Sequence, residues 1–191
     1  MIIMPGIFGI DIDDVICQTN PLILRLLKEF YGVDIRWEWL TSYYFARTKG
    51  FPLTQEQVDR AYGEFTAGAS LAAEPLAGAR EALLSLRAAG HRLCLITARP
   101  ESMKGDTEKW LAEYGIPYDE LIFSGRKHLI EKIGYWVEDK GSQAKLLAES
   151  GKPVFLMDYP WNRRTRRHPN IRRVRNWAEI MDLLRFFAII K

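Results

Sequence analysis

Five short apolar runs, separated by helical patterns, confine this chain more than anything else in its sequence; they lie at residues 7–13, 92–97, 120–124, 135–139 and 153–158. Each is nearly continuous in hydrophobic residues and bounded by polar ones. That pattern suits strands covered on both faces of a parallel sheet. The intervening patterns read as helices at 79–89, 102–114, 141–150 and 177–189. Gly90, Gly115 and Gly151 follow three of them, and Pro117 and Pro153 lie just beyond two. Glycine accepts the left-handed turn that ends a helix, and proline cannot continue one. The alternation predicts a doubly wound α/β fold with a parallel sheet.

One stretch breaks the rhythm. Between Ile16 and Pro75 there is no strand pattern. A helix is expected over 21–31 and another over 54–67, with the aromatic run Trp37-Glu38-Trp39-Leu40-Thr41-Ser42-Tyr43-Tyr44-Phe45 between them. We read 17–75 as a small helical insertion after the first strand, with 1–16 and 76–191 forming the core domain. A chain of 191 residues suits one domain with a small insertion.

Composition narrows the class without naming a partner. The chain is 48% hydrophobic and 27% charged, ordinary for a soluble globular protein, and its net charge of +3 is mild. The charge is unevenly spread: Arg163, Arg164, Arg166, Arg167, Arg172, Arg173 and Arg175 crowd together. Clustered arginine binds phosphate backbones, but no RNA- or DNA-binding motif accompanies it. A flexible loop beside a site and surface ion pairing are the other readings. Cys17 and Cys94 sit in apolar surroundings and read as reduced, buried thiols of a cytoplasmic protein. Residues 1–6 lack the basic flank of a signal peptide. No segment reaches the run of about 20 apolar residues that a membrane helix needs. Residues 186–190 read as the buried end of a last helix. His91 and His168 read as surface residues and His128 adjoins Lys127; such scattered histidines make no metal cluster.

Chemistry collects where the expected strands end. In an open α/β sheet, ligands bind beyond the carboxyl ends of the strands. There stand Asp11 and Asp13, then Thr97 with Ala98-Arg99-Pro100, then Glu138-Asp139, then Asp158. On a strand, Asp11 and Asp13 would point to one side. Carboxylates that close repel each other unless a cation or a shared proton offsets them. Magnesium suits such a set, since it prefers hard oxygen ligands and is often held by one or two carboxylates. The blander readings stay open at this level: a polar turn at Asp13-Asp14, and helix N-terminal carboxylates at Glu138-Asp139.

Taken in order, Asp11-Ile12-Asp13-Asp14-Val15, Ile96-Thr97-Ala98-Arg99-Pro100, Lys127 and Val137-Glu138-Asp139 resemble the four motifs of the haloacid-dehalogenase-like (HAD) phosphohydrolases. The resemblance spans the chain and puts the insertion in the place of that superfamily's small helical cap, beside a Rossmann-like core. The Ile-Thr-Ala-Arg-Pro run, the short cap and the run Asp158-Tyr159-Pro160-Trp161-Asn162-Arg163 look most like the 5'(3')-deoxyribonucleotidase branch. The resemblance implies that Asp11 attacks phosphorus and that Asp13 is the general acid and base, its carbonyl facing Mg2+. It implies that Thr97, the Ala98 amide and Arg99 contact the phosphate group, that Lys127 bridges nucleophile and phosphate, and that Asp139 binds metal with help from Glu138. Lys127 is preferred to Lys132, which falls in the following short helix, and to Lys140, which could neutralise the metal carboxylates. Two departures stand out: Asp14 replaces the usual glycine, and Val15 the common threonine. Asp tolerates the backbone angles that glycine serves there better than most residues do.

The expectation is a magnesium-dependent phosphomonoesterase of small phosphorylated metabolites, nucleoside 5'-monophosphates or deoxyribonucleotides first. A phosphatase for nucleic-acid 3' ends, served by the arginine cluster, and a phosphate-binding scaffold without turnover are the alternatives. At least one of the Trp37–Phe45 aromatics is expected to line the pocket while the others pack the cap onto the core; Arg47 and Lys49 read as a solvated face.

Overall fold

A computed structural model describes residues 6–190; the reading of residues 1–5 as no signal peptide lies outside them. The strands are β1 (Ile7–Ile10), β2 (Arg92–Thr97), β3 (Glu120–Phe123), β4 (Tyr135–Glu138), β5 (Val154–Met157) and β6 (Ile171–Val174). All pairings are parallel, in the order β3-β2-β1-β4-β5-β6. The helices are α1 (Thr19–Tyr31), α2 (Gln55–Thr66), α3 (Ala79–Ala88), α4 (Lys104–Glu113), α5 (Gly141–Glu149) and α6 (Trp177–Phe186). The chain runs outward from β1 through β2 to β3, then returns to the other side of β1 and runs outward through β5 to β6. The strand order therefore reverses between β1 and β4, the place where such sheets bind ligands.

Residue alternation builds the two layers. Leu93 and Leu95 of β2 enter one apolar cluster with Phe8, Ile10, Val137, Phe155 and helices α1, α3, α4 and α6. Cys94 and Ile96 enter the other, with Trp136, Ile133 and helix α5. A strand that feeds both clusters must be apolar at every position, which is why β2 is buried after Arg92. Gly9 is required by the second layer: a Cβ there would lie 2.7 Å from the Trp136 ring.

Four expectations need correction. The first strand stops at Ile10, not Asp13. Beyond it the chain curls, because the Ile12 carbonyl accepts the N–H groups of Val15, Ile16 and Cys17. The expected arginine loop contains a strand, β6, whose Arg172 and Arg173 are exposed while Val174 is buried; an edge strand with charged faces hides from a search for apolar runs. Helix α6 stops at Phe186, since Ala188 turns left-handed at φ 53° and the Ile189 N–H returns to the Leu184 carbonyl at 2.8 Å. Phe186 and Phe187 are exposed there, although Ile190 is buried. His91 is buried, its Nδ1 accepting from the Gly6 N–H and its Nε2 meeting the Ile189 carbonyl, both at 3.0 Å. Cys17 and Cys94 are free and buried.

Among the described residues, 17–75 carries no strand of the sheet. Its ends meet: Gln18 N–H donates to the Glu74 carbonyl and Leu76 N–H to the Ile16 carbonyl, each at 2.8 Å. Helices α1 and α2 pack on each other between these ends. Thr54 and Gln57 cap α2 reciprocally, as a capping box should. No described helix is long and apolar enough to cross a membrane.

Candidate active site

Four strand ends converge on one cluster at the switch point. Asp11 follows β1, and its backbone N–H still reaches the Val137 carbonyl of β4 at 3.0 Å, so the sheet fixes its Cα. Its Oδ1 accepts from the Ile12 N–H at 2.8 Å and lies 2.8 Å from Lys127 Nζ. Lys127, on a 3-10 turn after β3, also reaches Glu138 Oε1 at 3.1 Å, and all three side chains are almost wholly buried. Neither Lys132 nor Lys140 holds Asp11: Lys132 lies in a turn and pairs with Glu120 at the surface, and Lys140 Nζ sits 4.0 Å above the Tyr43 ring. His128 is exposed.

Asp11, Glu138 and Asp139 each aim a carboxylate oxygen into one spot, all within 4.8 Å of one another. Asp139 is held there by Trp161, whose Nε1 donates to Oδ2 at 3.1 Å. Asn162 fixes the backbone beneath, its Nδ2 donating to the carbonyls of Asp139 at 2.7 Å and Met157 at 2.6 Å. Arg173 in turn holds Asn162 Oδ1 at 2.8 Å. Asp158, expected among the reactive strand ends, pairs with Arg173 at 2.6 Å instead.

The charges do not balance. Burial and Glu138 push the Asp11 carboxyl well above its ordinary value, although Lys127 pulls the other way. Burial and Asp11 push Asp139 up to about 8. Lys127 is also driven to firmer protonation, because Asp11 and Glu138 outweigh its burial. A crowd of buried carboxylates with a single lysine lacks positive charge, and hard oxygen donors converging on one point fit a divalent cation such as Mg2+.

Asp13 stands apart from this set. Arg99 grips it: Nη2 to Oδ1 at 2.7 Å, and Nε to Oδ1 at 3.1 Å and to Oδ2 at 3.2 Å. Thr19 adds a hydroxyl donor to Oδ1 at 2.5 Å, and Thr97 Oγ1 reaches Oδ2 at 3.5 Å. Burial opposes the charge on Asp13, but Arg99 outweighs it and holds the carboxyl below the usual range. Thr97 ends β2 fully buried, and its Oγ1 accepts the Arg99 N–H at 3.1 Å; Ala98 between them is exposed to the cavity. Asp14 takes φ 55°, the left-handed region that a glycine would fill, and its Oδ1 accepts the Asn20 N–H at 2.9 Å. Val15 gives its carbonyl to Trp177 Nε1 at 2.8 Å.

A cavity of about 180 Å³ opens above Asp13 and Ala98, walled by Tyr43, Tyr62, Phe65 and Met103. Tyr43 is the pocket-lining member of the aromatic run, and the phenols of Tyr43 and Tyr62 are raised by burial and by the carboxylates below. Trp37 packs edge-on against Tyr159 and Trp161, with ring centroids 4.8 and 4.9 Å apart. Arg47 lies exposed over the Tyr44 ring, and Lys49 is exposed. Sequence reasoning missed Thr19, Asn20 and Tyr62, which come from the inserted segment. It also missed the supporting roles of Trp161 and Asn162, whose signal was the run 158–163 without any visible reason for it.

Comparison with known proteins agrees in scale with this geometry. The sequence model of the family described as "5' nucleotidase, deoxy (Pyrimidine), cytosolic type C protein" matches residues 5–189. A protein of Bacillus subtilis (strain 168), named as a candidate nucleotidase, is 30% identical over 180 residues, covering 91% of each chain. One of Bacillus cereus, named likewise, is 28% identical over 195 residues, covering 93% of this chain and 97% of the other. The crystal structure of a HAD family hydrolase from Deinococcus radiodurans R1, with bound phosphate and sodium, superposes with a TM-score of 0.67. It covers 100% of this chain and 99% of the other at 17% identity, a likeness of fold.

Proposed function

The chain belongs to the 5' nucleotidase, deoxy (pyrimidine), cytosolic type C family of HAD-like phosphatases, and from that premise we propose that it is a magnesium-dependent phosphomonoesterase working through an aspartyl-phosphate. The observation that carries the reading is Asp11 at the switch point. One of its oxygens is clamped by Lys127 and the Ile12 amide, and among the described residues no donor reaches the other. Carboxylate is a weak nucleophile, and a phosphate dianion repels it, so positive charge must stand beside it. Lys127 supplies one such charge at 2.8 Å. Asp11, Asp139 and Glu138 would hold Mg2+, which when bound neutralises phosphate charge.

Asp11 Oδ2 forms a bond to phosphorus as the ester P–O bond breaks. Asp13 lines the cavity walled by the inserted segment and, despite its burial, Arg99 keeps it ionised at rest; it takes the proton of a phosphate monoanion as the substrate binds and passes it to the departing alkoxide. Water then attacks phosphorus, Asp13 takes back a proton, and inorganic phosphate leaves Asp11. Thr97 and the Ala98 amide would hold phosphate oxygens. Residues 17–75 act as the cap, since Thr19, Asn20, Tyr43, Tyr62 and Phe65 wall the cavity where the leaving alcohol would lie. That wall, together with family membership, favours nucleoside 5'-monophosphates or deoxyribonucleotides as substrates. A screen of phosphorylated metabolites with Mg2+ tests this, with Asp11→Asn as the blank. Full activity in that variant would sink the mechanism.

A second reading rests on Arg163, Arg164, Arg166 and Arg167, which are exposed and have no carboxylate partner among the described residues. They sit on the loop that follows Trp161 and Asn162, the two residues that bond to Asp139. They favour an end phosphate on a nucleic acid, where the neighbouring phosphodiesters would meet arginine. If a 3'-phosphorylated oligonucleotide is not turned over better than a mononucleotide, this reading loses its motive.

A further inference from the structure

We propose that Arg99 is a positioning residue that fixes which oxygen of Asp13 meets the leaving group. The inference rests on the phosphatase reading of Asp11 and Asp13. The two oxygens of Asp13 are not equivalent. Oδ1 takes Arg99 Nη2 at 2.7 Å, Arg99 Nε at 3.1 Å and Thr19 Oγ1 at 2.5 Å. A carboxylate oxygen has about two lone-pair directions, so three donors leave it none to spare. Oδ2 is held more weakly: it shares the Arg99 Nε–H with Oδ1, at 3.2 Å, and its other contact, Thr97 Oγ1 at 3.5 Å, is at the outer limit of a hydrogen bond. Thr97 marks the side on which phosphate is expected, so Oδ2 is the oxygen turned toward the chemistry.

Arg99 is itself immobilised. Its Nη1 donates to Thr107 Oγ1 at 3.2 Å and its Nη2 to Cys17 Sγ at 3.5 Å. The Phe65 ring of α2 lies 5.2 Å from its guanidinium carbon. A planar fork with its nitrogens occupied in three directions holds the carboxylate in one rotamer, which a lysine ammonium could not do. Because Phe65 and Thr19 come from the inserted segment, the aim of Asp13 is set jointly by the core and the cap.

The role makes a prediction that simple phosphate binding does not. A phenolate leaves without a proton, whereas the alkoxide of a nucleoside needs one, and Oδ2 delivers it. Arg99→Lys and Arg99→Met are assayed on p-nitrophenyl phosphate and on the best nucleoside 5'-monophosphate. General acid catalysis contributes roughly 100-fold or more. Kcat for the nucleotide should therefore fall about 100-fold and that for the aryl ester only severalfold, with Arg99→Lys failing to restore the difference. Equal losses on both substrates, a rise confined to KM, or no loss would overturn the proposal. Should these variants not fold, Thr19→Val removes the other Oδ1 donor, and about a tenfold widening of the same ratio is expected; an unchanged ratio refutes the idea. Asp11→Asn separates the two levels. Activity persisting there on both substrates refutes the phosphatase reading itself, whatever the Arg99 ratio shows.

Discussion

Replacing Asp139 with Asn should make the metal-free protein more stable and its stability less dependent on pH. The carboxyl of Asp139 moves from an ordinary 3.8 to about 8 on folding, chiefly through burial and Asp11. A group whose pKa is raised on folding contributes its full stability below the unfolded value. That stability is lost as pH rises through the folded value. Each unit is worth about 1.4 kcal/mol, so the climb from near pH 4 to pH 8 costs up to about 6 kcal/mol. Asp11 shares the crowding, so the drop belongs to the cluster, and removing one member should recover roughly half, about 3 kcal/mol. In a chain of this size that is a melting shift of roughly 6–12 °C. The assay is thermal melting in chelator at pH 5, 6.5 and 8, for wild type and Asp139→Asn, repeated with excess Mg2+. Wild type should melt lower as pH rises in chelator, and Mg2+ at 100 times its Kd should restore about 2.7 kcal/mol. Asp139→Asn should show a flatter pH profile and little response to Mg2+. A wild-type profile as flat as the variant's, or an undiminished Mg2+ response in the variant, would refute the account of the cluster.

Two further outcomes follow from particular contacts. Lys127→Met leaves Asp11 and Glu138 facing each other without their shared cation; unfolding in denaturant should show a loss of about 3–5 kcal/mol, with activity lost as well, and a loss below 1 kcal/mol would mean that water already screens the pair. Ala188→Gly relieves a left-handed backbone at φ 53°, so melting should rise by roughly 2–4 °C from about 1 kcal/mol; a lower melting temperature would show that the turn is not strained.

Much of the fold was legible because two physical rules left marks in the sequence. Strands buried on both faces must be continuously apolar, so β2 was bounded correctly as Arg92–Thr97. Helices that end on glycine announce their ends, as at Gly90 and Gly151. The failures have reasons of the same kind. Strand β6 keeps charges on an edge and so lacks the apolar run. His91 is polar by type, and only the docking of Gly6 and Ile189 around it explains its burial. At the site, the carboxylates, Thr97 and Lys127 could be picked out because each ends or follows a strand. Asp14 could be read as a tolerable stand-in for glycine, and its φ agrees. What could not be read was the assignment of partners. Nothing in the order of residues says that Arg99 takes Asp13 or that Glu138 takes Lys127. Those pairings arise from the register of separate strands and from a cap whose path leaves no periodic trace.

The contacts of Asn162 have a consequence for how the protein comes into being. Its amide bridges the loop after β4 to the end of β5 and is itself gripped by Arg173 on β6. Asp139 is thus seated by a strand made long after Asp11 and Thr97. A ribosome extruding this chain would release Asp11, Thr97 and Lys127 in turn, yet the seat of Asp139 would stay unfinished until β6 had emerged and paired with β5. The sequence order works as a timer: nascent chains carry Asp11 for most of their synthesis without a braced Asp139 beside it.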